Sequence, residues 1–420
     1  MKNSFPILYI TYDGLLDPLG RSQIIPYIYG ISIHSSPIHI LSFEKLERFS
    51  EEKNNLKLEF ISRGIIWHPL IFSRNKGYFG GFKKIWDFFR MYLFAWFISV
   101  KYEIKIVHAR SHVASWVALF LKRFLNVKFV FDCRGLWVDE RVDKGSWDLN
   151  RLIPRLQYKY FKKRERSLFK NADYIIVLTE AVVNELIKLG TTQKDKITVI
   201  PCCADFNHFK LPGIKQKINS RNLLGFQEHG IIIGYLGSIG KMYMIDAFLK
   251  FFNFLAIKRK DVFALIVTQD VNEAKDLVDL LVPSNLNERI KILSGTRDEI
   301  PQLLAAMDIL VSFIKPSYAR LACSPTKNAE ALAMGIPLIC NYGIGDVDKQ
   351  INLLDSGYVV DLDKDYNFEF LLDKIDNLKI LDHEKIRNAA YPLLDVHVAN
   401  ERYEKIYQKI KNDIFKGILN

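Results

Sequence analysis

The feature that most restricts what this sequence can fold into is an alternation of short apolar runs with helical segments, which breaks at a polar stretch and then begins again. Phe5–Thr11, Ile38–Phe43, Ile104–His108, Val127–Asp132 and Tyr174–Leu178 read as strands, with helical spacing at Ser22–Ile33, Ala114–Phe124, Leu156–Lys170 and Glu180–Leu189. Lys210–Glu228 is polar and carries Pro212, Gly213 and Gly225, so it reads as a linker. Strands resume at Ile231–Leu236, Phe263–Val267, Ile290–Ile292, Ile309–Phe313, Ile336–Cys340 and Gly357–Val360, with helices at Ile245–Ile257, Glu273–Leu281, Glu299–Ala306 and Asn328–Met334. Strands alternating with helices form parallel sheets covered on both faces, because a parallel crossover needs a helix-length connection. The pattern predicts an α/β chain of two Rossmann-like, doubly wound domains, residues 1–205 and 206–395. A terminal helix over 396–420 is expected to return to the first. Ligands of such sheets bind beyond the carboxyl ends of the strands, so a cleft between the domains is the expected site.

Charge is distributed unevenly. Residues 1–200 hold 32 Lys and Arg against 19 Asp and Glu, and the remainder 27 against 28. A basic half suits nucleic acid, anionic lipid or a phosphorylated substrate, and also a merely solvated surface. No nucleic-acid recognition motif accompanies it, so no nucleic-acid partner is expected. The five cysteines include no Cys-x-x-Cys pair, and Met1–Pro6 has no long apolar leader. Both points lead to the expectation of a reducing, cytoplasmic location. Ile85–Val100 is apolar but interrupted by Asp87 and Arg90, and too short to span a bilayer. It has two readings. One is an interfacial helix, with Lys83, Lys84 and Arg90 at anionic headgroups on the inner face of the cytoplasmic membrane. The other, which is the expectation, is a helix buried against the sheet.

Three loops follow strands and carry anion-binding chemistry. In the first, Asp13–Gln23, Gly20 at a helix entrance lets a diphosphate approach backbone N–H groups, with Arg21 adding charge. The second is Gly237-Ser238-Ile239-Gly240-Lys241, another strand-to-helix turn with a cation beside it. Each is equally a plain turn. The third, Ala322–Pro337, is more specific. Ser324 or Thr326 caps a helix whose first turn holds Lys327, a pyrophosphate partner, and Glu330 one turn on can accept both hydroxyls of a ribose. Gly335 ends that helix and Pro337 sets the return to the next strand.

In order and spacing these pieces resemble the group 1 glycosyltransferases of the GT-B fold, the large retaining family 4, and the match covers nearly the whole chain. "DGLLDPLGRSQIIPYI" is similar to the amino-terminal motif of bacterial members that assemble surface polysaccharides such as capsule or lipopolysaccharide. "VHARSHVAS" and "FDCRGLWVDERV" resemble acceptor-domain motifs, and "NADYIIVLTE" with "ITVIPCCADFNHF" the passage into the second domain. "YLGSIGKMYMIDAFLKFF" and "CSPTKNAEALAMGIPLICNYGIGD" resemble its donor-binding segments. The resemblance implies a transferase moving a sugar from a nucleoside-diphosphate sugar to a hydroxyl of a glycan or lipid-linked acceptor. It implies donor-binding roles for Gly20, Arg21, Gly237, Ser238, Lys241, Ser324, Pro325, Thr326, Lys327 and Glu330. It places Arg110, Asp132, Arg134 and Glu140 on the acceptor side, with Lys327, Arg110 and His108 as catalytic candidates.

The chain departs from the pattern at two points. Many members carry Glu eight residues before the ribose carboxylate, where this chain has Ala322, and Arg after the second-domain glycine, where it has Ser238. Ala322 leaves room for two alternatives: a nucleotide-sugar 2-epimerase of the same fold, or a nucleotide-sugar-binding protein without turnover. Asp361-Leu362-Asp363 has the form of a metal motif but reads as an exposed turn, since no cluster of oxygen ligands lies near it in sequence. No metal or other cofactor is expected.

Overall fold

In a computed structural model, which describes residues 5–34, 37–73, 80–189, 194–362 and 368–419, the chain divides into two compact units. Met1–Pro201 and Ala399–Asn420 form one, and Cys202–Val398 the other. Met1–Ser4 and Asp363, which entered the leader and metal-motif readings, lie outside the described residues.

The first unit holds a seven-stranded sheet: β1 Ile7–Thr11, β2 Ile38–Glu44, β3 Ile65–Ile71, β4 Ile106–Arg110, β5 Lys128–Asp132, β6 Tyr174–Val177 and β7 Ile197–Val199. Its order is β3-β2-β1-β4-β5-β6-β7, all parallel. Strand order reverses between β1 and β4, where Ile7 pairs with both Ile38 and Ile106. The second unit holds six: β8 Ile231–Leu236, β9 Val262–Val267, β10 Ile290–Leu293, β11 Ile309–Ser312, β12 Leu338–Asn341 and β13 Gly357–Val360. They run β10-β9-β8-β11-β12-β13, again parallel, with the reversal between β8 and β11. Every residue of β1 and β8 is buried. That is why these strands are apolar runs: in a sheet covered on both faces, successive side chains enter two cores. Along β8, Ile231, Ile233 and Tyr235 join one apolar cluster, and Ile232 and Leu236 the other.

Residues of the last helix, Val396–Leu419, close the first unit. Tyr407 Oη lies 2.7 Å from His108 Nδ1, Tyr403 Oη donates to Asp132 Oδ2 at 3.4 Å, and Phe415 meets Phe5 edge-on at 5.0 Å.

The helix Gly80–Lys101 corrects the expectation of a buried segment. Met91, Ala95 and Ile98 face the core, but Ile85, Trp86, Phe89, Leu93, Phe97 and Val100 are exposed. Asp87 is fully buried, where it accepts from Ser73 Oγ at 2.7 Å and from Arg90. The helix is thus apolar on its outer face as well as its inner one, whereas an ordinary surface helix turns a polar face to water.

Candidate functional site

The segment that begins the helix Thr326–Ala333 lies beyond the carboxyl end of β11, at the sheet's reversal. Neither Ser324 nor Thr326 caps this helix. Pro325 holds the cap position with no side-chain bond, and Thr326 is the first helical residue. Ser324 Oγ instead accepts from the Cys202 amide at 3.1 Å, fixing the segment to the start of the unit. The Asn328 amide donates to the Pro325 carbonyl at 3.1 Å, and the cap residue's side chain accepts from no first-turn amide, so the cap side chain leaves the positive end of the helix open.

Lys327 is buried, and its Nζ has no hydrogen-bond partner among the described residues. It lies over the rings of Tyr235 and Tyr243, 5.1 and 5.4 Å from their centroids. It also points at the β8 turn: a Cβ on Gly237 would stand 3.9 Å from Nζ. Two aromatic faces soften the desolvation of an ammonium but do not replace a counter-ion. Burial accordingly pushes Lys327 down to about 8. Glu330, one turn on and 13% exposed at its side chain, is pushed up to about 7 by burial, opposed by Arg297. The Arg297 guanidinium is 3.8 Å from its carboxylate. A buried cation lacking an anion, a helix N-terminus and a carboxylate one turn away are a match for a diphosphate joined to a diol.

The helix ends as the sequence suggests. Gly335 adopts φ +70°, and the amides of Gly335 and Ile336 return to Leu332 and Ala331. A Cβ there would fall 2.3 Å from the His383 carbonyl oxygen. Gly335→Ala is therefore expected to cost at least about 2 kcal/mol in urea unfolding, from left-handed strain plus the clash.

The two other loops differ from their expected forms. Gly20 is the third residue of the helix Pro18–Gln23, not its entrance. A Cβ on it would fall 2.2 Å from Gly14 O and 2.5 Å from Leu15 Cα, so the glycine serves close backbone contact. The amides of Leu15 and Leu16 already donate to the buried Glu44 carboxylate at 2.9 and 3.2 Å, and Arg21 is held by Glu52 at 2.6 Å. This loop's anion-binding groups are thus occupied by the chain's own carboxylates. The β8 turn does not run directly into a helix either: Ile245–Lys258 starts eight residues after Gly237. Ser238 and Lys241 are exposed, and the Ser238 carbonyl accepts from Tyr235 Oη at 2.7 Å.

In the first unit, Arg110, Asp132, Arg134 and Glu140 gather at the carboxyl ends of β4 and β5. Arg110 is buried, 3.8 Å from both Asp13 and Asp132. Arg134 reaches Asp132 Oδ1 at 3.4 Å. Burial alone would raise the Asp132 carboxyl, but Arg134, His108 and Arg110 hold it well below the usual carboxylate range, so it is a poor proton acceptor near neutrality. Glu140 Oε2 accepts from Lys144 at 3.3 Å. Ser111, directly after Arg110, takes φ +66°, a strained value for a residue with a side chain. His108 reaches this edge only through Asp132, whose Oδ2 lies 3.5 Å from its Nε2. It is fully buried in mid-strand, stacked on Tyr9 at 4.6 Å and bound to Tyr407, which is a structural position.

Sequence reading missed Tyr235, Tyr243 and Arg297, which surround Lys327 and Glu330. Only the position of Arg297 just past a strand's carboxyl end pointed to it.

Residues 40–208 match the family model Glycosyltransferase Family 4, and residues 216–391 match Glycosyl transferases group 1. No curated protein matches the chain. Several solved structures share its fold. Anabaena HepE, solved in complex with UDP and glucose, is 17% identical at a TM-score of 0.68, covering 96% of this chain and 99% of that one. A glycosyltransferase from Rickettsia africae is 19% identical at 0.69, with 97% and 99% covered. WaaG, a glycosyltransferase involved in lipopolysaccharide biosynthesis, is 14% identical at 0.65, with 95% and 99% covered. The two parallel sheets are the Rossmann-like domains of the GT-B fold, and each half of the chain is similar to a glycosyltransferase family.

Proposed function

We propose that the chain transfers a sugar from a nucleoside-diphosphate sugar to a hydroxyl of a glycan or lipid-linked acceptor in surface-polysaccharide synthesis. The observation that carries this reading is the buried Lys327 ammonium without a hydrogen-bond partner among the described residues, aimed at the Gly237 turn one helical turn from Glu330. The diphosphate sits on Lys327 and the first turn of its helix, and Glu330 accepts from the ribose hydroxyls. When the anomeric C–O bond breaks, negative charge develops on the departing diphosphate, and Lys327 stabilises it in a low-dielectric setting. In this reading the chain's own cation does the work a divalent metal does elsewhere, so no metal is required. Arg110 and Arg134 orient the acceptor, and Asp132, held low by the cations around it, fixes both guanidiniums without acting as a base. The departing phosphate takes the acceptor proton, which gives retention of configuration, read from the anomeric coupling of the product by NMR. UDP bound to HepE makes UDP the first nucleotide to test.

The site's ionisations fix how binding follows pH. A carboxylate binds hydroxyl donors better than the neutral acid does, so affinity rises as pH climbs through about 7, where Glu330 ionises. It falls again as pH passes about 8, where Lys327 loses its charge. Calorimetric titration with UDP is expected to give a maximum between these values. The phosphate's own second ionisation lies near about pH 6. Glu330→Gln should therefore remove the upper part of the acidic limb and leave the part near 6. Affinity independent of pH between about 6 and about 9 would contradict the assignment. Release of nucleoside diphosphate only when an acceptor is present separates transfer from 2-epimerisation, and binding without release separates it from a non-catalytic role.

A further inference from the structure

The exposed face of the helix Gly80–Lys101 is built for a different kind of partner. Ile85, Trp86, Phe89, Leu93, Phe97 and Val100 follow the spacing 3, 4 and 7 and form one stripe along the helix. Their exposures run from 39% for Leu93 to 65% for Ile85, so this is a continuous surface, not scattered single residues. At its flank Tyr92 and Trp96 contact Phe120, and Trp96 also contacts Phe124, which is itself exposed. The helix Leu152–Asn171 packs on the same helix Ser111–Leu125 that receives Tyr92 and Trp96, with Phe161 stacked on Trp116 at 5.3 Å. In Leu152–Asn171, Leu152, Ile153, Leu156 and Tyr160 are exposed as well.

The charges around this surface are nearly all of one sign. Helix Leu152–Asn171 carries seven basic residues and one acid, Glu165, which is buried against His112 and Lys162. Arg155, Lys159, Lys163 and Arg166 are exposed. On the apolar helix, Lys83, Lys84 and Lys101 add positive charge; the acids near them in sequence are Asp87, which is buried and taken by Arg90, and the exposed Glu103 just past the helix end. No described helix is long and apolar enough to cross a membrane. An aromatic and aliphatic stripe edged by cations matches the boundary of an anionic bilayer, where the rings enter the acyl region and the ammonium groups meet phosphates.

We infer that these two helices of the first unit dock the protein on an anionic lipid surface. The apolar stripe inserts at headgroup depth, and the basic residues of Leu152–Asn171 supply attraction that salt weakens. The inference does not depend on the donor site, which belongs to the other unit.

The test is co-sedimentation of the full chain with vesicles of phosphatidylcholine alone or mixed with phosphatidylglycerol. Wild type is expected to bind the anionic vesicles, and less so at high salt. Phe89→Glu with Phe97→Glu should lower that affinity at least about tenfold. Lys159→Glu with Lys163→Glu should remove the preference for anionic vesicles. UDP binding should be unchanged in both, which shows the variants are folded. The uncharged pair Ile85→Gln with Leu93→Gln gives a second reading of the stripe. Unchanged sedimentation of both stripe pairs would overturn the proposal. So would a wild-type chain that binds neither vesicle, or a wild-type dimer by light scattering that the stripe variants abolish without any vesicle binding.

Discussion

Lys327→Met is expected to make the protein more stable and to abolish nucleotide binding. The side chain is buried with two tyrosine rings for company and no hydrogen-bond partner among the described residues. Burial lowers its value from 10.5 to about 8, so the folded state resists holding the charge. Below about pH 8 the residue is charged in both folded and unfolded chains, and the penalty on folding is fully present. As pH rises from the folded value towards the unfolded one, the folded chain sheds its proton first, and the penalty disappears. Methionine fills nearly the same space without a charge, so the gain should be roughly 1–3 kcal/mol near neutrality and should vanish above about pH 10. UDP affinity should fall at least about 100-fold, the loss of a charged contact in a desolvated site. A merely structural lysine would give the opposite signs: lower stability and little change in nucleotide affinity.

The second large effect concerns the core that carries the site. Asp308, just before β11, is buried between Arg221 at 2.5 Å and Lys217 at 2.8 Å, and also accepts from the Ile232 amide of β8 at 2.8 Å. Arg221 in turn donates to the carbonyls of Ala306, Glu228 and Gly230. This group ties the helix Ile214–Leu223 to the two strands that flank the sheet's reversal. Asp308→Ala leaves a buried guanidinium without its carboxylate and a strand amide without its acceptor. The expected cost is about 3–5 kcal/mol in chemical denaturation. Because Lys327 stands beyond the same sheet, the second unit should unfold first and UDP should cease to bind under conditions where wild type still does. A loss below about 1 kcal/mol would mean that the pair is compensated by water.

What could be read from the residues depended on how local the cause was. Ile231–Leu236 was legible as β8, because a strand buried on both faces must be an unbroken apolar run. Helix Leu46–Ile61 was not: seven of its 16 residues are charged, and only Leu56 and Phe60 are buried, too few to set a period. Edge strands β3 and β7 were missed for a related reason. One contains His68 and Pro69, and the other has three half-buried residues. Composition identified Ile85–Val100 as a helix of apolar residues but could not say which way its stripe faces, and here it faces outward. Gly20 shows the same limit on a smaller scale. A glycine before a helix serves ligand approach and backbone contact equally well, and only the nearby Gly14–Leu15 backbone distinguishes them. Lys327 and Glu330 were legible because four residues or fewer separate the groups that make that motif. Tyr235, Tyr243 and Arg297 come from other strand ends, and only folding brings them near.

The most direct test of the account is a crystal structure of the full chain with UDP. The account predicts the diphosphate within hydrogen-bonding distance of Lys327 Nζ at the start of Thr326–Ala333, with the ribose hydroxyls on the Glu330 carboxylate. UDP bound in the second unit with neither side chain touching it, or seated on the Gly20 loop in place of Glu44, would contradict it.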